Sequence, residues 1–409
     1  MLETAKTTFK SAALMVVICS VAFKAGTSKP LQRHNHGHIT NWTKRYEFQV
    51  PLGLSEALWR RRIPTTNPIT TEKVALGRAL YFDKRLSVDR TVSCATCHDP
   101  ARAFTDHETV AVGVGPRTGL RNTPTILNAM FSDRLFWDGR ATSLEDQVVQ
   151  PLTNPFEMGM GNGDAVVERI KAIPEYRLKF KRIFQDQDIT LQNVVKAIAT
   201  FERTQLSGNS PFDRFIAGDR SALTEPQRRG WDLFRGKAGC IACHTFSSAS
   251  PFFTDFVFHN TGVFTKGTAL SELVKLKLSE SILTDQSIPI AITQTEPAIN
   301  VLSHANGFSE LGRYLVTKQA KDLGAFKTPS IRDVELTSPY MHNGSIKTLI
   351  DVVQFYNRGG NPTDNLDRQI QPLHLTEIEV NEIVEFMRTL TSDDVLRQCQ
   401  ASRPQSRTR

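Results

Sequence analysis

Cysteine is scarce in this chain, six residues in 409, and four of the six fall in two pentapeptides, Cys94-Ala95-Thr96-Cys97-His98 and Cys240-Ile241-Ala242-Cys243-His244. Only Cys19 and Cys399 remain, so a zinc tetrahedron would have to draw on both pentapeptides and would leave the position of each histidine unexplained. Neither flank has the βαβ pattern that a thioredoxin-like dithiol needs. Long apolar runs are lacking too: the stretch from Ala12 to Phe23 is too short to span a bilayer comfortably. Basic charge is not concentrated. The net charge is +8, but Lys and Arg are scattered and partly confined to Arg-rich tails, which argues against a nucleic-acid patch and leaves only charge steering of a redox partner.

What is present is a globular composition, 40% hydrophobic and 22% charged, in a chain long enough for two domains. Two thiols three apart with a histidine directly behind them read as a c-type haem attachment site. One such site stands in each half, so two covalently bound haems are expected on Cys94, Cys97 and His98 and on Cys240, Cys243 and His244. Residues 1–22 have the shape of a secretory signal, with Ser20-Val21-Ala22 suiting a signal peptidase; an uncleaved anchor is the alternative, and the only route to a membrane partner. Haem attachment on the exported side agrees with a periplasmic address. Residues 23–50 read as a polar spacer in which His34, His36 and His38 alternate without needing a metal.

Helical periodicity dominates the rest. Thr70-Thr71-Glu72 opens one helix and Thr224-Glu225-Pro226 another; each carries a glycine at the same offset, Gly77 and Gly230, and each leads into a pentapeptide. Ile198-x-x-Phe201-x-Arg203-Thr204 recurs as Ile383-x-x-Phe386-x-Arg388-Thr389, the second inside a stretch opened by a Thr376/Glu379 capping box. The fold expected is all-α, mostly helical, two cytochrome c-like haem domains in tandem: residues 51–210 and 221–395, joined near 206 to 222 where Gly208, Pro211 and Gly218 interrupt the pattern. A Ser/Thr-rich insertion near 266–306, partly helical around Leu270 to Leu278, carries no motif, and 396–409 form a basic tail.

Several separate stretches, Cys94 to Asp106, Arg121-Asn122-Thr123-Pro124-Thr125, Phe136-Trp137-Asp138-Gly139-Arg140, Pro155-Phe156-Glu157-Met158-Gly159 and Gly324 to Gly360, resemble the bacterial di-haem cytochrome c peroxidase and MauG family. The resemblance implies a peroxide-reactive haem on His98 and a six-coordinate electron-transfer haem on His244. It makes Glu157 the acid that moves a proton between the peroxide oxygens, with Gln147 and Pro151 lining its pocket. Trp137 matches a tryptophan between the haems. Asn122, Thr337 and Pro339 match the positions that hold a calcium ion between the domains, the last two through backbone carbonyls.

Two departures from ordinary peroxidases favour the MauG-like branch. Val114, in Ala111-Val112-Gly113-Val114-Gly115, stands where a ligating histidine is usual, and His107 is a poor substitute, so the first iron is expected to be open at rest. Tyr356, in Val353 to Gly360, stands where a methionine ligand is usual, with Met341 as the competing candidate and His342 a weaker one. The function implied is a periplasmic enzyme that reduces H2O2 with electrons from a small cytochrome c or copper protein. The alternatives are a MauG-like oxidase acting on side chains of a protein substrate and a non-catalytic electron carrier. No tryptophan immediately precedes Cys240 as a surface port, which weakens the oxidase alternative.

Overall fold

Two pairs of crossed helices frame the molecule, and a glycine makes each crossing. The computed structural model describes residues 46–115, 117–185, 188–263, 299–300, 303–304, 308–363 and 365–402. The expected signal, most of the expected spacer and the helix expected around Leu270 to Leu278 therefore lie outside the described residues.

In the first half the helix Thr71–Tyr81 starts at Thr70, whose side chain accepts from the Lys73 N–H, and it packs across Leu191–Glu202. A Cβ on Gly77 would stand 1.9 Å from the Ala197 carbonyl oxygen, so the backbones approach this closely only because no side chain intervenes. The second half repeats the device. Glu225–Arg235 crosses Glu377–Arg388, and a Cβ on Gly230 would stand 1.9 Å from the Glu382 carbonyl oxygen. The Thr376/Glu379 capping box is formed as the sequence predicts, and Thr224 closes another with Gln227.

Each crossing sits over its own core. In the first half Leu76, Leu80, Tyr81, Phe180 and Ile198 are fully enclosed. In the second, Phe212 is ringed edge-on by Trp231, Phe246, Phe253 and Phe386 at 5.1–5.4 Å. The short helix Pro211–Ile216 lies in the expected junction; its Phe212 joins the second core, and its Asp213 makes a buried bidentate pair with Arg332 at 2.8 and 2.9 Å. Among the described residues the strands are short, Phe258–His259 pairing antiparallel with Phe326–Lys327, so the molecule is mostly helical.

Two stretches do more than their composition suggests. Residues 46–50, at the end of the expected spacer, pack Tyr46, Phe48 and Val50 around Trp59. Residues 396–402, the start of the expected basic tail, belong to the helix Asp393–Ser402, whose Val395 and Cys399 are buried in the first-half core. Among the described residues no helix is long and apolar enough to cross a membrane.

Candidate active site

Both pentapeptides fold as a single helical turn, with the His98 N–H donating to the Cys94 carbonyl and the His244 N–H to the Cys240 carbonyl, each at 2.9 Å. Each imidazole then places Nδ1 against a backbone carbonyl, His98 on Phe104 at 3.2 Å and His244 on Phe253 at 3.0 Å. A carbonyl only accepts, so Nδ1 carries the proton and the Nε2 lone pair is left for a metal. Burial lowers both histidine pKa values and keeps the rings neutral. None of the four cysteines is in a disulfide. Burial pushes the Cys94 thiol up and the Cys97 and Cys240 thiols to about 12, so with nothing bound they rest as neutral thiols. The donor set fits a c-type haem at each turn: paired thiols, and an imidazole with its tautomer fixed.

Cys240, Cys243 and His244 line a cavity of about 580 Å³ whose walls come from both halves. Tyr356, from the helix Leu349–Asn357, and Met341 also line it. Burial, then the nearby Cys243 and Cys240 sulfurs, push the Tyr356 phenol well up, so it ionises near neutrality only with a metal in place. His342 is committed elsewhere: its ring stacks on Phe326 at 3.6 Å and its Nε2 lies 3.2 Å from Glu310 Oε2.

The cavity also holds two cations that sequence reasoning passed over. His259 sits between Asp255 at 2.9 Å and Asp367 at 2.6 Å and is raised to about 11 by the Asp255 hydrogen bond, with Cys243 and Asp367 adding to it. Lys327, lowered to about 8 by burial, donates to Ser132 Oγ and the Arg134 carbonyl at 3.0 and 2.8 Å. His259 is already neutralised by its two aspartates, which leaves Lys327 as the positive group that suits a porphyrin carboxylate. Cys243, Asp255 and His259 come within 4.8 Å of one another, as metal ligands would, but Cys243 belongs to the pentapeptide.

Trp137 joins the halves. Its indole N–H donates to the Asn122 carbonyl at 2.9 Å, its own carbonyl accepts from the Lys327 N–H at 2.8 Å, and its ring meets His342 edge-on at 6.5 Å. Asn122, Thr337 and Pro339, the residues expected to hold calcium, line this same cavity. The Asn122 amide donates to the Glu108 carbonyl at 2.9 Å, which leaves its Oδ1 as the atom for a cation.

The helix Leu144–Thr153 begins at Ser143, which caps Asp146, and carries Gln147 and Pro151 one turn apart on one face. Beyond it the chain folds back, the Met158 N–H donating to the Pro151 carbonyl at 3.0 Å and the Glu157 N–H to Asn154 at 3.1 Å. The Glu157 carbonyl accepts from the Val114 N–H at 2.8 Å. Val114 is buried in the first-half core; the loop therefore brings an apolar side chain here. His107 has its Nε2 2.9 Å from the Leu336 carbonyl, tied to the second half. The Cys97 sulfur lies 3.8 Å from the Val112 carbonyl, so the stretch 112–114 runs between the first pentapeptide and the Glu157 backbone.

Burial alone would raise the Glu157 carboxyl, but His304, Arg140 and His98 override it and hold it below the usual range. His304 Nε2 lies 2.9 Å from Glu157 Oε1. Sequence reasoning missed this histidine, because it sits in the Ser/Thr-rich insertion with no periodicity or neighbouring motif to mark it. Arg140 was visible only as part of a motif. It is buried, shares Asp138 with Arg121 at 2.9 and 2.6 Å, and donates to Gln150 Oε1 at 2.7 Å.

Residues 71–221 match the family described as di-haem cytochrome c peroxidase. The chain is 39% identical over 331 residues to the methylamine utilization protein MauG of Methylorubrum extorquens, covering 81% of each protein. It is 37% identical to cytochrome-c peroxidase IdrP1 of Denitromonas iodatirespirans, over 82% of this chain and 85% of that one. Among solved structures, a MauG-like protein associated with microbial copper homeostasis superposes with a TM-score of 0.66 at 30% identity, covering 87% of this chain and 97% of that one.

Proposed function

Because the chain belongs to the di-haem cytochrome c peroxidase and MauG family and is a peroxidase-type oxidoreductase, we propose that it reduces hydrogen peroxide beside His98, with electrons that enter through the second half. The family implies two haems. Cys94, Cys97 and His98 would hold one covalently, and Cys240, Cys243 and His244 the other, with Tyr356 as a further candidate ligand of the second. When bound, the haems supply irons that take peroxide and pass single electrons. The residues do the rest.

The single observation that carries this function is the position of Glu157, a half-buried carboxylate whose backbone is joined through the 112–114 stretch to Cys97, with Val114 presenting no metal ligand there. Glu157 takes the proton from the inner oxygen of H2O2 and delivers it to the outer one, so that oxygen leaves as water. One peroxide takes up two electrons and two protons and yields two waters. Gln147 and Pro151 shape the pocket. Trp137, hydrogen-bonded to both halves, lies on the electron route, and Asn122 with the Thr337 and Pro339 carbonyls holds a calcium ion that fixes the junction. The donor is a small cytochrome c or copper protein, and the address is periplasmic, where c-type haem is attached.

The test is H2O2 consumption with reduced cytochrome c. Glu157→Gln slows it by about 100-fold or more while the protein keeps both haems; an unchanged rate removes Glu157 from the mechanism. One observation favours the MauG-like alternative, in which the electrons come from side chains of a protein substrate: Tyr356 lines the second cavity with His244. Against it, Trp231 packs into the aromatic core rather than serving as a surface port. Peroxide turnover sustained by a reduced small donor alone selects the peroxidase; no spectral change on adding peroxide to the diferric protein selects the electron carrier.

A further inference from the structure

The polar surroundings of Glu157 are completed by a histidine from a distant part of the chain. Asn300 and His304, four apart in sequence, both reach into the first half. Asn300 accepts from Asn154 Nδ2 at 3.1 Å and Arg140 Nη2 at 3.3 Å, and donates to the Gln150 carbonyl at 3.2 Å. His304 stacks nearly parallel on Phe156, with ring centroids 5.9 Å apart, and sets Nε2 2.9 Å from Glu157 Oε1.

The other ring nitrogen decides what the contact can be. Nδ1 lies 2.9 Å from the Asn300 carbonyl oxygen, with Ser303 Oγ at 3.1 Å and Asn154 Nδ2 at 3.2 Å. Ser303 Oγ donates to that same carbonyl, and Asn154 Nδ2 spends one of its two N–H groups on Asn300 Oδ1, so the Asn300 carbonyl is the shortest contact of Nδ1. The carbonyl can only accept, so Nδ1 carries a proton. A second proton then lies between Nε2 and Oε1 in the pair, either on the imidazolium facing a carboxylate or on the carboxyl facing the Nε2 lone pair. Among the described residues Arg140, His98, Cys94 and Cys97 are the other charged or titratable groups that act on the carboxylate.

We propose that His304 is a positioning residue of the peroxide site, which orients the Glu157 carboxylate and keeps a proton stored on the pair. It acts through Glu157, not on peroxide itself, and rests on Glu157 moving the peroxide proton as described above. The proton that Glu157 takes from the inner peroxide oxygen and passes to the outer one crosses a carboxylate that cannot rotate away from the pocket. The consequence is architectural: the polar group beside Glu157 is assembled from both halves, and residues at the end of the Ser/Thr-rich insertion are part of it.

The test compares two amides at position 304 in the full-length protein carrying both haems. His304→Gln can put an N–H where Nε2 stands; His304→Asn reaches only as far as Nδ1, and the two differ by one methylene. The reaction of the diferric protein with H2O2 is followed by stopped-flow absorbance, and fluoride affinity by equilibrium titration, since fluoride binds ferric haem together with a proton that the pair holds. His304→Asn should slow the peroxide reaction by about tenfold or more, the loss of one charge-assisted hydrogen bond, and weaken fluoride binding, while His304→Gln retains most of both. In a Glu157→Gln background, His304→Asn should add less than about twofold, because the two residues act as one unit.

Equal rates for His304→Asn and the parent overturn the proposal, as does an undiminished effect in the Glu157→Gln background, which marks a general packing role. A low-spin EPR signal of the first haem that turns high-spin in His304→Asn also overturns it, by making His304 an axial ligand. A parent-like rate for Glu157→Gln alone instead removes the peroxide reading itself, so the two failures are distinguishable. If His304→Asn does not load haem, the pair His304→Gln and Glu157→Gln/His304→Gln carries the same comparison: weak fluoride binding and a tenfold loss in His304→Gln would overturn the proposal.

Discussion

At the scale of single residues the strongest constraint is the buried charge beside Trp137. Burial alone would raise the Asp138 carboxyl, but Arg140 and Arg121 override it and hold it at about 2. An unfolded Asp ionises near about 3.9, so between those values the unfolded chain binds more protons than the folded one. The stability Asp138 contributes is complete above about pH 4 and is lost as the pH falls through about 2. Asp138→Asn would leave two guanidinium groups short of a partner and should cost about 3–5 kcal/mol at neutral pH. Denaturant unfolding at pH 7 and pH 3 checks both points: the variant should be weaker at pH 7 and show a flatter acid dependence than the parent. Asp138 was readable as part of a motif, but its burial and its two partners were not, because Arg121 and Arg140 meet it only when the loops close.

At the scale of elements the paired glycines carry the repeat. Alanine is favoured over glycine inside a helix by about 0.5–1 kcal/mol, yet at Gly77 and Gly230 its methyl would fall 1.9 Å from backbone oxygens that have no rotamer to move. The helices must separate, so Gly77→Ala and Gly230→Ala should each destabilise by about 1–3 kcal/mol net. Because each crossing leads into one pentapeptide, haem loading should fall in the half that carries the substitution. Differential scanning calorimetry, with the mass of the haem-bearing chain, measures both; a midpoint raised by either alanine would show that the helices can slide apart at no cost. The elements were the most legible part of the chain. Thr70, Thr224 and Thr376 with Glu379 marked helix starts by local hydrogen bonding alone, and the equal glycine offsets marked the repeat. The packing of residues 46–50 on Trp59 and the continuation of the last helix to Ser402 escaped notice, since polar and basic composition says little about a few apolar side chains that meet a distant core.

At the scale of the whole molecule the halves are not merely adjacent. The helix Asp393–Ser402, which follows the second half in sequence, buries Val395 and Cys399 in the first-half core, and the stacked rings of Phe131 and Phe252 bridge the halves at 4.4 Å. Ending the chain at Ser392 removes that helix and exposes core surface in the first half, with Val395 alone contributing about 1.5–3 kcal/mol. Truncation should therefore lower the unfolding temperature of the first half and its haem retention more than those of the second; equal losses in both would mean that the helix is not a part of the first core. By itself the sequence determined what local spacing can determine: two CxxCH turns with the haem-attachment pattern, the helix starts, the internal repeat and the family. Those follow from residues within a few positions of each other, where bond geometry leaves little choice. Only the tertiary structure decided that Nδ1 of each haem-site histidine rests on a carbonyl, that the second cavity takes walls from both halves, and that His304 meets Glu157. Such contacts join residues far apart along the chain, and no local pattern marks them, because closing the fold is what brings them within hydrogen-bonding distance.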